Sequence, residues 1–555
     1  MDNLAVLMNK IGYILLMCLC LSARAQLYTK WPVSNTNLTG NYGEIRPNHF
    51  HAGLDFAWED ILGSPIYAVK SGYISRIKVS PYGYGKVVYI THYDGKVSVY
   101  AHQLRFNDSI SNYVKREQIR KLSYEVELYP QLNELPVKEG ELIGYVGNTG
   151  GSTGPHLHFE IRDEITEIPL NPLKIYKLSD TIKPNCTSLT LFDIRDTLQP
   201  KLIKYISVRN KKDSLYCVND SIVINQSKIG IAFSGYDQEM FNGNPNNIYS
   251  AKLFLDDSLI YHHELNYIPF DLANYVNEFS FEADKRKYQK CFLPSVYATY
   301  MYKNVNNKGR IELKDTLFHH IKLEWQDEVG NNNILKFYIK SKELNDYKWI
   351  NTKASNFMNA KSGFTHSAKS FTINIPPNSV YQSGFISIAD NFSAKKSVDI
   401  SILTTQLRQA GIMTIRLSEK QKEMAGKWIL KNNNSVCLPK VSENINAYNF
   451  KSFGNLTMML DTIPPTIKTA IPLKRLKTQI KKAESISFKV SDNLSGIANY
   501  YVYVNDQWVL AEYDAKSDLL TYFFNTETPT GELKILVSVQ DRVGNVGTYK
   551  LILTR

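Results

Sequence analysis

Cysteine is scarce in this chain, with six among 555 residues. Two of them, Cys18 and Cys20, fall in an apolar N-terminal stretch, which leaves Cys186, Cys217, Cys291 and Cys437. None of these four has metal-site spacing, so they are weak ligand candidates. An even set suits disulfides in an exported protein, and three pairings stay open. Long hydrophobic runs are lacking too, and beyond the first residues no segment is long enough to span a bilayer roughly 30 Å thick. There is no arginine-rich tract or basic helix, although the net charge is +12. An excess of base suits acidic polymers such as teichoic acids, lipopolysaccharide, nucleic acid or carboxylate-bearing wall peptides, and selects none of them. The glycine-rich residues 144–154 lack the G-K-[ST] ending of a phosphate loop and read as turns.

The N-terminus carries a short apolar run over residues 11–21 followed by Ser22-Ala23-Arg24-Ala25. This is the pattern of a secretory signal, so residues 1–25 are expected to leave and Gln26 to begin the mature chain. About eleven apolar residues are too few for a spanning helix, and the small-residue setting of a lipoprotein signal is missing. The expected location is the periplasm, the cell surface or the medium.

At 555 residues with 43% hydrophobic content the chain can bury several cores. Alternating apolar and β-branched segments dominate, as in Lys86-Val-Val-Tyr-Ile-Thr-His92 and Lys96-Val-Ser-Val-Tyr-Ala-His102, with one short helix expected over residues 110–122. An internal repeat organises the rest. Asp180-Thr181-Ile182-Lys183-Pro184 recurs as Asp461-Thr462-Ile463-Pro464-Pro465, and Gln326-Asp327-Glu328-Val329-Gly330-Asn331 returns as Gln540-Asp541-Arg542-Val543-Gly544-Asn545. Two copies of one immunoglobulin-like β-sandwich module are therefore expected at residues 179–345 and 461–555, the first lengthened by an insertion around residues 283–310. Residues 346–460 read as a β-rich unit of unknown role. The Asp-rich turns of the repeats could bind calcium, but the pattern of a calcium loop is absent, and the bland reading as turns is preferred.

Two short patterns carry chemistry. In His49-Phe-His51-Ala-Gly53-Leu-Asp55 an imidazole and a carboxylate stand four residues apart beside a glycine that lets the backbone approach closely. In Gly154-Pro-His156-Leu-His158-Phe-Glu160 strand alternation turns His156 and His158 to one side and Leu157 and Phe159 to the other. Each pattern alone also fits a surface turn or a pair of solvent-facing histidines. Together they offer N and O donors suited to zinc, with an open fourth position for water. A spare histidine nearby can act as general base.

These motifs, with Tyr100-Ala-His102 between them, resemble the lysostaphin-type peptidases of family M23, also called LytM-like endopeptidases, over about residues 35–175. The resemblance includes Gly63-Ser-Pro-Ile-Tyr-Ala-Val-Lys-Ser-Gly72, Tyr84-Gly-Lys-Val-Val-Tyr-Ile-Thr-His92 and Val137-Lys-Glu-Gly-Glu-Leu-Ile-Gly-Tyr-Val-Gly-Asn-Thr-Gly150. It implies zinc as cofactor with ligands His51, Asp55 and His158. It makes His156 the general base, with His102 orienting water or stabilising the oxyanion. His49 is the rival ligand by strand parity, but only His51 keeps the family's spacing to Asp55, and His49 and His92 are taken as bystanders. The long segment over residues 104–136 departs from the family's simplest form and leaves access to the site open.

The expected fold is mainly β: a LytM-like β-sheet or barrel peptidase domain at residues 26–178, followed by β-sandwich domains. The expected function is zinc-dependent hydrolysis of peptide cross-links or stem peptides of bacterial peptidoglycan. The expected partners are peptidoglycan and envelope proteins, without nucleic acid or a transmembrane segment. A catalytically silent wall-binding or hydrolase-regulating protein is the alternative, and a scaffold built on the C-terminal modules is a third reading.

Overall fold

Residues that alternate apolar and polar every second position can bury one face only by pairing as strands over a shared core. The computed structural model describes residues 28–176, 178–195, 200–211, 215–217, 221–238, 245–344, 356–402, 406–442, 445–480 and 483–555, and over these the chain is mainly β. The expected leader, its cleavage point at Gln26, and Cys18 and Cys20 lie outside the described residues, as does the expected boundary at residues 345–346.

The first unit is built on a nine-stranded antiparallel sheet. Its main strands are β1 (Leu38–Gly40), β2 (Leu54–Phe56), β3 (Gly72–Val79), β4 (Lys86–His92), β5 (Lys96–Ala101), β6 (Val126–Leu128) and β7 (Leu157–Asp163). They run in the order β1-β2-β7-β5-β4-β3-β6. On β7, Leu157, Phe159 and Ile161 enter the core with Leu54, Phe56, Ile74, Ile90 and Tyr100. Each large apolar side chain removed from water there contributes about 1.5–3 kcal/mol, which anchors the strand and turns His158, Glu160 and Arg162 to the opposite face.

The expected helix is α1 (Asp108–Lys121). Asn107 caps its first turn by accepting the Ile110 N–H at 2.9 Å, and Leu122 ends it in the left-handed region with φ 49°. Ile110 and Val114 bury its inner face. The segment over residues 104–136 thus folds into α1 and β6, and β6 extends the sheet at its β3 edge, the far end from β2 and β7.

Among the described residues, three further large cores lie beyond the first unit. Leu189, Ile231, Phe233, Leu323, Trp325 and Phe337 belong to one, and Ile486, Phe488, Val502, Leu533 and Val537 to another, each between two sheets. They fall within the two stretches that the sequence repeat marks. The β-rich stretch between them is also a two-sheet sandwich, with Ile373, Val398, Ile415, Trp428, Tyr448 and Leu456 inside. Its partner sheets have six and five strands.

The stretch around residues 265–301 of the first copy packs into the core of the first unit, through Leu265, Ile268, Leu272, Tyr275, Phe279 and Met301. Phe279 meets Phe50 edge to face, their ring centroids 5.4 Å apart. The expectation of disulfides is not met at the three positions whose thiols are described: Cys186, Cys291 and Cys437 are free. Burial pushes the Cys186 thiol up to about 12, as suits a small apolar side chain in a sandwich core.

Candidate metal centre

The two motifs meet because β2 and β7 are neighbours, and their antiparallel register sets His158 opposite Asp55. Cross-strand partners project from the same face. Gly53 permits the approach, since a Cβ at that position would stand 2.2 Å from the carbonyl oxygen of Phe159. His51 precedes β2 and turns its ring toward the same point. His51 Nε2 lies 3.1 Å from Asp55 Oδ1, His158 Nδ1 lies 2.9 Å from the same oxygen, and the two nitrogens are 3.0 Å apart. All three side chains are buried.

The outer nitrogens decide what faces inward. His51 Nδ1 donates to the carbonyl oxygen of Asn41 at 2.8 Å, and His158 Nε2 donates to Glu160 Oε1 at 2.8 Å. Both acceptors lack a proton, so each ring spends its N–H outward and presents a lone pair to Asp55. Three electron-rich atoms then share one point, an arrangement that a cation relieves. Ligands at about 2.0–2.1 Å in a tetrahedral zinc site stand roughly 3.3 Å from one another, close to the spacings here. The N, N, O donor set and the outward hydrogen bonds would suit a metal ion such as zinc held by oriented imidazoles.

The electrostatics of the three residues are consistent with that demand. Burial lowers the His51 imidazole. Burial opposes ionisation of Asp55, yet His51 and His158 beside it hold the carboxyl well below the usual range. His158 is pushed up to about 9, burial working against it and the hydrogen bonds to Asp55 and Glu160 prevailing. The same carboxylates that raise His158 would draw a cation to the point the three atoms share.

His102 and His156 stand beside this cluster. Their ring centroids are 4.8 Å apart, and His102 lies 6.0 Å from His158. His156 Nε2 is 3.6 Å from Asp55 Oδ1, while its Nδ1 faces Gly154 O at 2.9 Å and Ser152 Oγ at 3.1 Å. His102 Nδ1 donates to Thr149 O at 2.8 Å, and burial with the neighbouring imidazoles of His158 and His156 lowers it to about 3. It also holds φ at 60°, an uncommon conformation for a non-glycine residue. All five expected site residues are therefore brought together. His49 is exposed, with Nδ1 on its neighbour Pro47 O, and His92 is buried on Ser98 Oγ at 2.7 Å; neither joins the cluster.

Several partners escaped the sequence reading. Glu160 is fully buried and binds His158, Tyr84 Oη and Arg162 Nε, the last at 2.6 Å. Arg162 and His158 hold its carboxyl down to about 2 against the effect of burial. The alternation that placed His158 also places Glu160 and Arg162 on its face, so that signal was present. Arg46, whose Nη2 meets Asp55 Oδ2 at 2.5 Å, had none. Nor did Asn41, which Asn247 of the first sandwich clamps: Asn247 N donates to Asn41 Oδ1 and Asn41 Nδ2 returns a bond to Asn247 O, each at 3.1 Å. Lys516 of the last module reaches the carbonyls of Asn148 and Ser152 beside His156.

The family model for peptidase family M23 matches residues 49–119 and 131–172, and the unmatched residues 120–130 fall in the α1 to β6 segment. The chain is 35% identical over 125 residues to the DD-carboxypeptidase/endopeptidase Mpg of Neisseria meningitidis serogroup B, covering 22% of each protein. It is 31% identical over 124 residues to the peptidoglycan DD-endopeptidase ShyA of Vibrio cholerae, again 22% of each. Among solved structures, the catalytic domain of the antimicrobial peptidase lysostaphin from Staphylococcus simulans is 29% identical, covering 22% of this chain and 77% of that one, with a TM-score of 0.17. The chain thus spans about a fifth of the length of the curated relatives it matches. The part of the chain that carries the histidine and aspartate cluster, within residues 49–172, is thus similar to peptidase family M23.

Proposed function

We propose that the M23 domain is a zinc-dependent endopeptidase that cuts peptide cross-links or stem peptides of bacterial peptidoglycan. The observation that carries this reading is the convergence of His51 Nε2, Asp55 Oδ1 and His158 Nδ1 with both outer ring nitrogens engaged. These three residues would hold zinc, which supplies Lewis acidity that polarises a carbonyl and acidifies water. His156 spends its Nδ1 proton on Gly154 O, which leaves Nε2 as a base facing the cluster. His102, neutral and with its proton on Thr149 O, also turns a lone pair inward and orients a water by accepting from it. Holding a negatively charged oxygen would require a proton on His102 Nε2, which its low proton affinity disfavours. The base and the orienting residue stand next to each other beside the ligand set, so both can act on the same water.

The substrate class is supported by the relatives, of which one is a peptidoglycan DD-endopeptidase and another a DD-carboxypeptidase/endopeptidase. The organisation proposed is a leader at residues 1–25, the peptidase domain at 26–178, the two repeat sandwiches at 179–345 and 461–555, and the intervening sandwich at 346–460, in a protein exported to the envelope. The test pairs zinc content of the purified chain with release of soluble fragments from peptidoglycan, with and without chelator. About one zinc per chain and chelator-sensitive release are expected, both lost in a folded His158→Ala protein. Wild-type release by that variant would sink the assignment, and a metal-free chain that binds sacculi without cutting them would favour the wall-binding alternative.

A further inference from the structure

Outside the M23 domain, each repeat copy gathers three aspartates. Asp180, Asp237 and Asp327 offer ligand oxygens within 4.8 Å of one another, and so do Asp461, Asp492 and Asp541. The two sets are equivalent. Asp180 and Asp461 open the repeat, and Asp327 and Asp541 begin the Asp-x-Val-Gly-Asn turn that closes it. The third members also correspond, since Asp237 follows the strand Lys228–Tyr236 and Asp492 follows Ser485–Ser491 in the matching stretches Ile231-Ala-Phe-Ser-Gly-Tyr-Asp237 and Ile486-Ser-Phe-Lys-Val-Ser-Asp492.

The closing turns are wired alike. Asn331 Nδ2 binds Asp327 Oδ2 at 2.7 Å and Asp180 O at 3.1 Å, while Asn545 Nδ2 binds Asp541 Oδ2 at 2.7 Å and Asp461 O at 3.2 Å. Such turns need no ion by themselves. What points to one is the state of the remaining oxygens. Asp237 is 1% exposed and Asp461 0% exposed, and the Oδ1 atom of each, buried beside two other carboxylates, has no hydrogen-bond partner. Asp492 Oδ1 is likewise buried without a partner. An ionised oxygen in that condition is costly unless a cation meets it. Two nearby lysines bind oxygens other than the orphaned ones, Lys174 Nζ on Glu328 O at 2.7 Å and Lys427 Nζ on Asn545 Oδ1 at 2.5 Å.

We propose that each sandwich copy holds a calcium ion, the first through Asp180, Asp237 and Asp327 and the second through Asp461, Asp492 and Asp541. The donors are all oxygens, the choice of a hard cation rather than of zinc, and part of the shell is left to backbone carbonyls or water. The residues did not announce this because the three ligands come from the start, middle and end of each module instead of one loop. In the first copy the ion also bears on the M23 domain. Asp237 exchanges backbone hydrogen bonds with Asn246, and the next residue, Asn247, clamps Asn41, on which His51 rests.

The test is calorimetric titration of calcium chloride into the chelator-stripped full chain, with melting temperature followed in parallel. Two calcium ions per chain are expected, with dissociation constants on the order of 10⁻⁴–10⁻³ M as in extracellular modules, together with a rise in melting temperature. Asp180→Asn and Asp492→Asn, both at partly exposed ligands, should each remove one site, and the double variant both. Absence of binding and of any melting shift in the unsubstituted chain at millimolar calcium would overturn the proposal even if a variant failed to fold. A stoichiometry unchanged by the substitutions would overturn it too. The readout is binding alone, so it stands apart from whether the M23 domain cuts peptidoglycan.

Discussion

Glu160→Gln keeps the shape of the side chain and removes its charge, and the structure gives the consequence a size. Glu160 is fully buried, fixes the outer nitrogen of His158 and pairs with Arg162, which is only 6% exposed. Its carboxyl stands at about 2 against an ordinary 4.5. At about 1.4 kcal/mol per tenfold change in proton affinity, that gap corresponds to about 3 kcal/mol of folding stability. Because the folded-state value is depressed, the contribution is complete above pH 4.5 and is lost as pH falls toward 2. The variant should therefore be destabilised by about 3 kcal/mol at pH 7, within the range for leaving a buried arginine unpaired, and the difference from the unsubstituted chain should shrink below pH 4.5. His158 also loses the acceptor that fixes its tautomer, so zinc affinity should drop roughly 10- to 100-fold. Hydrogen exchange of β7 peptides reads the stability of this domain without assuming that the whole chain unfolds in one step, and competition with a chromophoric chelator reads the affinity. A change below about 0.5 kcal/mol together with unaltered zinc affinity would refute the assignment of Glu160 as the residue that orients His158.

Three further outcomes follow from the same geometry. His102→Ala should lower kcat on a soluble stem peptide by roughly 10²–10⁴ while zinc content stays at that of the unsubstituted chain, because His102 is anchored to Thr149 and not to the ligand set; full turnover would exclude its role in orienting water. Asn247→Ala removes the bonds to Gly43 O at 2.9 Å and from Gln289 at 2.7 Å, and should cost about 1–3 kcal/mol and loosen zinc, read by melting temperature and zinc competition. His92 and His263 are buried, at about 4 and about 3 against an ordinary 6.5, so each disfavours its proton in the folded state and stability should fall as pH drops from 6.5 toward 4. Urea titrations across that interval should show a shallower loss in His92→Gln, and an unchanged slope would exclude His92 as a source of acid sensitivity.

The sequence by itself determined the β class, the resemblance to family M23, the site residues to test and the paired Asp-Thr-Ile and Asp-x-Val-Gly-Asn marks, because each rests on local periodicity or on a motif a few residues long. Leu157, Phe159 and Ile161 alternating with His156, His158 and Glu160 is legible without coordinates, since a strand has only two faces. His51 was separable from His49 through the resemblance, because only His51 keeps the family's spacing to Asp55. Tertiary structure decided everything that depends on segments distant in the chain. It paired β2 with β7 so that Asp55 faces His158, brought Arg46, Tyr84, Arg162 and Asn41 around them, folded residues 104–136 away from β2 and β7, and left Cys186, Cys291 and Cys437 as free thiols. It also assembled the aspartate triads from positions 57 and 90 residues apart in the first copy and 31 and 49 apart in the second. Strand pairing and domain packing follow from burying side chains between remote segments, and no local pattern encodes which remote segment that will be.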